Sequence, residues 1–542
     1  MTTRRRCLTA MMAIAMLIAT AIMGLAGHAS AQEAGDRPTL RFGVNAADLQ
    51  TLDPHFASGT QDRTVVDMIF NGLVRYQPGN SAELEPDLAT EIPEPETVDG
   101  KQVWTFTLRE GVLCHPTSES EAYELTADDV VYSLQKSADV DRSAYAGDYA
   151  GMTVEKVDDR TVTITLDEPL SPTLFLPKVA NYAGGFIVCS QAVEALGDDA
   201  FKTQPVGTGP FMFDRYTPQN SVVLKANDDY FRGAPKLAGV EVRYMPDPSS
   251  RELGLQSGEL DLAAGVNEAP WVERINNEGN LIADVFGVAE AVWVNLNVEQ
   301  EILSNPQVRE AIALAISRDE HAALRGEPVS ELIYSVVPAQ LMPGGLTEEE
   351  AAEAGVLYEQ DLERARQLLA EAGYPDGFTM DLVTSEMSDY RANYEVLQAE
   401  LAEIGITLNL TVVDHATMHA QIREDVNPIV IYVAFRPNAD VYLTNFFHSD
   451  SIVVTGKSPI TNFAHYSGVD DLIEQARAET DPAKQEALWK EANIQILKDF
   501  AAYPLYMQNL VYARKPSVDY GHELVSSLAL YPQITEQTTI TG

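Results

Sequence analysis

The stretch Ala291–Arg318, AVWVNLNVEQEILSNPQVREAIALAISR, decides the fold. It opens with a short apolar strand, Val292–Leu296, passes a polar turn and starts a helix. Asn305 is a good N-cap, because its side chain can accept from the free N–H groups of the first turn. Pro306 follows at the first helical position, where its missing N–H costs nothing. Val308, Ile312 and Ala315 then repeat at helical spacing, with Ala311 and Leu314 beside them. A strand running directly into a well-capped helix predicts the place where the chain leaves one lobe and begins another.

Working outward to the N-terminus, Arg4, Arg5 and Arg6 precede a run of small and apolar residues, Leu8–Leu25, and the small-residue cleavage pattern Ala29-Ser30-Ala31. Residues 1–31 read as a signal peptide cut near Ala31, and the mature protein is expected in the periplasm. Export could follow the ordinary secretory route or the twin-arginine route. No later stretch reaches the roughly 18 apolar residues of a membrane span. A chain of 542 residues is too long for one core and predicts two or three domains. The formal net charge is −44, and the three arginines of the leader make the remainder more negative still. That much negative charge disfavours nucleic acid and anionic membranes as partners. Two cysteines remain after processing, Cys114 and Cys189. An oxidising compartment permits a disulfide between them; the alternative is two buried free thiols.

Before the opening stretch, Thr39–Val44, Val103–Leu108, Arg160–Leu166, Val222–Lys225, Gly239–Tyr244 and Leu260–Ala263 read as strands. Helices are expected over Thr64–Leu73, after Thr126 with Asp129 completing a capping box, and over Ser250–Gly258. After it, Asp361 caps a helix ending at Gly373. Phe378–Thr384, the helix Tyr390–Ile404 and Thr407–Val413 then form a βαβ unit, which argues for parallel pairing. Asn427–Phe435 is a further strand, Asp481-Pro482 opens a long helix to Phe500, and Tyr503–Tyr512 is extended and apolar. A βαβ-rich segment between two extended segments is compatible with a hinged clamp and equally with two sequential domains.

LEPDLA, WTFTLREGV (Trp104–Val112), TADDVVYSL (Thr126–Leu134), PVGTGPF (Pro205–Phe211) and the NLN strand followed by NPQVREAIALAISRDE resemble the family 5 extracellular solute-binding proteins, the peptide- and nickel-type receptors of bacterial ABC importers. The resemblance implies an α/β, two-lobed periplasmic-binding-protein fold of type II, with the extra subdomain of the peptide receptors and a ligand cleft between the lobes. It places the first part of lobe I at 32–291, the subdomain at about 76–201, lobe II at 298–502 and a return to lobe I at 503–542, with crossings near 292–297 and 503–512. It also implies an inner-membrane ABC permease complex as partner, a small-molecule or short-peptide ligand, no cofactor and a monomer. One departure is Cys114-His115-Pro116-Thr117, followed by the acidic insertion Ser118–Glu124, expected on the surface.

No nucleophile elbow, phosphate loop or zinc-protease helix is present, so an enzyme is not expected; an exported hydrolase with a dispersed site is the distant alternative. His415 and His419, four apart on an expected helix, could share a metal, and His448 and His465 lie further along, but no third close ligand accompanies the pair, so no metal site is assigned. In the peptide receptors that the chain resembles, a strand ends in a tryptophan, and an aspartate three residues later holds the ligand's amine. Here Tyr432 and Phe435 occupy those positions, and Arg436 is next. An ammonium needs a carboxylate close by, whereas Arg436 offers a fork for a carboxylate. The ligand could be a peptide held by its carboxylate, a peptide whose amine meets Asp440, or a non-peptide acid, sugar or opine-like solute. Alternatively, Arg436 pairs with Asp440 and shapes the loop. Tyr442 belongs to the same segment. Ser58-Gly59-Thr60 matches a loop facing the ligand in the family. Trp293 and Asn295 sit on the crossing strand where they could face the cleft, although core packing is the commoner fate of a strand tryptophan. The expectation is a receptor for a small organic solute, with a short peptide first, a non-peptide acid second and a nickel complex third.

Overall fold

Two long strands organise the molecule, Ile282–Leu296 going out and Ala502–Arg514 returning. They pair antiparallel along their length, from Ile282 opposite Arg514 to Asn295 opposite Ala502. The structure is a computed structural model that describes residues 37–117 and 121–541, with all their side chains except those at 288, 289 and 389. The expected signal peptide and residues 118–120 of the expected surface insertion lie outside the described residues. All that follows concerns the compact unit Thr39–Gly542.

The two strands are shared by both halves of a nine-stranded sheet. At one end, the strands Phe211–Thr217, Ser221–Ala226, Gly239–Tyr244, Thr39–Val44 and Leu262–Ala264 follow in that order and lead to the return strand. Thr39–Val44 runs parallel to both of its neighbours. At the other end, Ile429–Ala434 pairs with the outgoing strand and Ser330–Leu332 with the return strand. Between the halves the register breaks, once between Phe286 and Glu290 and again between Val292 and Trp293. A break of this kind bends and twists a ladder locally.

Beyond the break, the outgoing strand is covered on both faces. Successive side chains of a strand point to opposite sides. Val292, Val294 and Leu296 enter a core formed with Val308, Ile312, Leu368 and Leu397. Ala291 and Trp293 enter a second core with Tyr442, Phe446 and Trp489. The helix Pro306–Ala315 is capped by Asn305, which accepts from Gln307 N at 3.0 Å. The strands Thr379–Ser385 and Thr407–Val413 pair in parallel as the βαβ pattern requires, but as a sheet of two strands apart from the main one.

A four-stranded sheet of Glu96–Val98, Lys101–Thr107, Thr161–Leu166 and Met152–Asp158 carries the helix Ala127–Ala138, whose Thr126 and Asp129 form the expected capping box. Cys114 and Cys189 are joined by a disulfide with Cα atoms 6.0 Å apart. Lys136 is buried with Asp53, and its Nζ donates to both carboxylate oxygens at 2.8 and 2.9 Å.

Some boundaries differ from expectation. The helix expected over Thr64–Leu73 spans Thr60–Ile69, with Gly59 as N-cap. The outgoing strand starts ten residues earlier than Val292, at Ile282. Helices Ala269–Glu278, Ala439–Phe447 and Asp470–Ala478 were not anticipated.

Candidate ligand cleft

Helix Thr60–Ile69 is positioned by the Pro205–Phe211 segment. Gly209 N donates to Ile69 O at 2.7 Å. A Cβ at Gly207 would lie 2.2 Å from Ile69 O, so only glycine allows this approach. The N-terminal end of the helix thereby faces a cavity of about 530 Å³, with Thr60 and Gln61 in its wall. Asn45, Asn267 and Glu268 line the same side. Glu290 and Gln508, opposite one another on the two shared strands, also border it, as do Arg325 and Ser388 from the other half. This volume suits a small organic solute. A second, more apolar cavity of about 280 Å³ also lies between the halves. It brings Tyr76, Leu84 and Leu528 opposite Phe435, Asn438 and Trp489.

The strand Ile429–Ala434 delivers Phe435 to the wall of this smaller cavity, Arg436 follows it in the chain, and Asn438 caps the next helix by accepting from Val441 N at 3.0 Å. Arg436 is half-buried. Its Nη1 donates to Phe435 O at 2.7 Å, and its guanidinium stands 4.8 Å over the Phe446 ring. Burial lowers its pKa, with the phenols of Tyr432 and Tyr442 and the Glu290 carboxylate acting the other way. Asp440 does not pair with it. The Asp440 carboxylate lies 3.2 Å from Arg477 Nε, and Arg477 also donates to Thr444 Oγ1. Burial raises the Asp440 carboxyl, with Arg477 opposing. Among the described residues, Arg436 has no carboxylate within ion-pair distance. Glu290 borders the cavity and, among the described residues, forms no ion pair; desolvation raises its pKa, with Arg436 opposing.

Trp293 and Asn295 do not reach the cleft surface. Both are fully buried. Trp293 Nε1 donates to Asn295 Oδ1 at 3.1 Å, and Asn295 Nδ2 donates to Val430 O at 3.1 Å. The reason is the two-sided covering of their strand, which leaves neither face for a ligand. Tyr442 is likewise buried, its hydroxyl donating to Ala434 O. Tyr432 is 7% exposed and packs against Trp293, Phe446 and His419. Ser58 is exposed, Gly59 is the helix N-cap, and Thr60 lines the cavity. Gln61, Arg325, Ser388 and Gln508 escaped the sequence reading. Glu290 had one available signal: it is the lone acid in the apolar run Val285–Leu296.

His415 and His419 do come together, Nε2 to Nε2 at 3.2 Å, with Ser385 Oγ 3.1 Å from His415 Nδ1. Burial, His415 and Arg423 push His419 down to about 4. Among the described residues no group of three or more metal-ligating side chains forms. His448 faces Glu474, and His465 lies between Glu299 and Asp425.

A sheet shared by two halves, with a solute-sized cavity bordered by both, defines a two-lobed solute receptor. Residues 83–453 match the model of the bacterial extracellular solute-binding proteins, family 5, and the chain belongs to that family. It is similar to MoaA of A. tumefaciens R10, solved in complex with mannopinic acid: 40% identity, 94% of this chain and 100% of that chain covered, TM-score 0.74. It is also similar to DppA of Helicobacter pylori in complex with peptide STSA, at 26% identity over 94% of this chain and 100% of that one, TM-score 0.72. The glutathione-binding protein GsiB of Escherichia coli K12 is 28% identical over 93% of this chain and 94% of its own length. The protein is therefore the substrate-binding component of an ABC transporter. Its family is periplasmic or extracellular, consists of solute-binding proteins rather than enzymes, and works with an ABC permease. Among the described residues no helix is long and apolar enough to cross a membrane.

Proposed function

We propose that the solute is a small organic acid of the opine type, an amino acid whose nitrogen carries a second carbon substituent, and that Arg436 holds its carboxylate. One observation carries this reading: Asp440 is committed to Arg477, and among the described residues Arg436, next to the cavity-lining Phe435, has no carboxylate partner. A half-buried guanidinium with no anion favours a ligand that brings one. Phe435 stands where the peptide receptors carry their amine-binding aspartate, and this counts against the peptide placed first on sequence grounds. MoaA, solved with mannopinic acid, is a relative over nearly the whole chain. Thr60, Gln61 and Ser388 supply polar contacts from both sides of the cavity. Tyr432, Tyr442, Trp293 and Asn295 act from behind, by fixing the strand and loop that present Arg436.

The hinge is assigned to the crossings near 292–297 and 503–512, between lobe I (32–291 and 503–542) and lobe II (298–502), with the subdomain at about 76–201 within lobe I. The register break at Phe286–Glu290 supports a bend beside the first crossing. The protein works as an exported monomer that hands its solute on unchanged. Releasing the compound that co-purifies with the exported protein and identifying it by mass spectrometry tests the reading. An intact N-substituted amino acid is expected; a peptide ladder would reject the opine assignment, and a cleavage product would reject the receptor role.

A further inference from the structure

Glu290 and Arg436 stand at the same end of one strand pair. Ala291 is opposite Ala434 in the antiparallel register, so Glu290 leaves the ladder on one side where Phe435 and Arg436 leave it on the other. Each feels the other's charge, yet among the described residues neither forms an ion pair. Glu290 borders the 530 Å³ cavity, and the polar Gln508 is its cross-strand neighbour. Arg325, the cation lining the same cavity, is turned to the Tyr506 hydroxyl.

We propose that Glu290 is the subsite for a cationic nitrogen of the ligand, so that one molecule must bring an ammonium to Glu290 and a carboxylate to Arg436. This rests on the reading of the cleft as an organic-acid site and adds the second half of its recognition. When the lobes close, water leaves both groups. A lone carboxylate withdrawn from water is costly, and so is a lone guanidinium. A ligand with an ammonium next to a carboxylate answers both at once, and only such differential contact favours the closed state. A solute carrying the carboxylate alone would satisfy Arg436 but meet repulsion from Glu290, which excludes simple anions. An opine nitrogen is a secondary amine, protonated at neutral pH and one carbon from a carboxylate. Amine recognition in this chain is thereby assigned to the shared strand at the hinge, away from the loop position held by Phe435.

Calorimetric titration of the full chain with mannopinic acid and with its N-acetylated form separates the two halves of the site. The wild type should bind mannopinic acid and take the acetylated form at least about tenfold more weakly, the scale of one charged hydrogen bond. Glu290→Gln should weaken mannopinic acid by a similar factor and lose the preference between the two compounds. Glu290→Asp should keep part of it, and thermal melts of both variants confirm folding. Arg436→Gln should weaken both compounds alike. The amine subsite is overturned if the wild type takes the acetylated form equally well, or if Glu290→Gln keeps its preference. No binding of mannopinic acid to the wild type would instead overturn the opine reading, and the subsite with it.

Discussion

Asp440 follows Arg436 by four residues, in the first turn of the next helix, yet its carboxylate is bound to Arg477 at 3.2 Å, and Arg436 turns to the neighbouring Phe435 carbonyl. Among the described residues, no carboxylate neutralises Arg436. Arg436→Gln should weaken a carboxylate ligand about tenfold or more, since a hydrogen bond to a charged group contributes about 1.5–3 kcal/mol. Arg477→Met should leave affinity within a few-fold unless the freed Asp440 swings to Arg436. Titration of both variants with one ligand checks this, and equal losses would place Asp440 and Arg477 in the site as well.

The buried pair Lys136–Asp53 braces the loop that leads into the cleft helix. Lys136 Nζ also meets His55 Nδ1 at 3.3 Å and Arg142 O at 3.2 Å. Removing one partner strands a buried charge, so Lys136→Met should cost about 3–5 kcal/mol of unfolding free energy in urea. Adding Asp53→Leu should restore much of that loss. A double variant no more stable than the single one would contradict the account of the pair.

Trp293→Ala should act on folding rather than on recognition. Its ring packs 4.7 Å from Phe446 and is fully buried. Truncating a core tryptophan costs about 3–5 kcal/mol. Denaturation should show that loss, while the folded fraction keeps its ligand affinity within a few-fold. A selective loss of affinity with stability intact would return Trp293 to the cleft.

The same residue shows what the sequence could and could not settle. Capping and periodicity predicted the helix from Pro306, the parallel βαβ pair and the capping box at Thr126, because those signals are local. The helix Ala439–Phe447 escaped, although Asn438 is a good N-cap and Asp440 an acid in the first turn. The full length of the outgoing strand escaped because Asp284 and Gly287 interrupt its apolar pattern. Whether Trp293 meets ligand or core depends on helices nearly 150 to 200 residues further on, which cover its second face. The state of Arg436 depended on Arg477, a partner that no local pattern reveals.

His465 links the loop after the outgoing strand to the neighbouring turn, with Nδ1 3.1 Å from Glu299 and Nε2 3.2 Å from Asp425. Burial lowers its pKa, but the two carboxylates outweigh burial and raise it overall. A histidine whose folded pKa exceeds its unfolded value stabilises fully below the unfolded pKa, and this contribution fades as pH rises through the folded one. The stability gap between wild type and His465→Gln should therefore be larger near about pH 5.5 than near about pH 8.5. Urea midpoints at both values decide it, and a gap that widens with pH would reverse the assignment.

The most direct measurement is a pair of calorimetric titrations of the full chain, with mannopinic acid and with a tetrapeptide, repeated on Arg436→Gln. Mannopinic acid should bind the wild type with a dissociation constant of about 1 μM or tighter, a binding free energy near −8 kcal/mol. The peptide should give no heat, and Arg436→Gln should weaken the acid about tenfold or more. Tight peptide binding with no response to the acid, or an acid affinity that Arg436→Gln leaves unchanged, would contradict an organic-acid receptor built around Arg436.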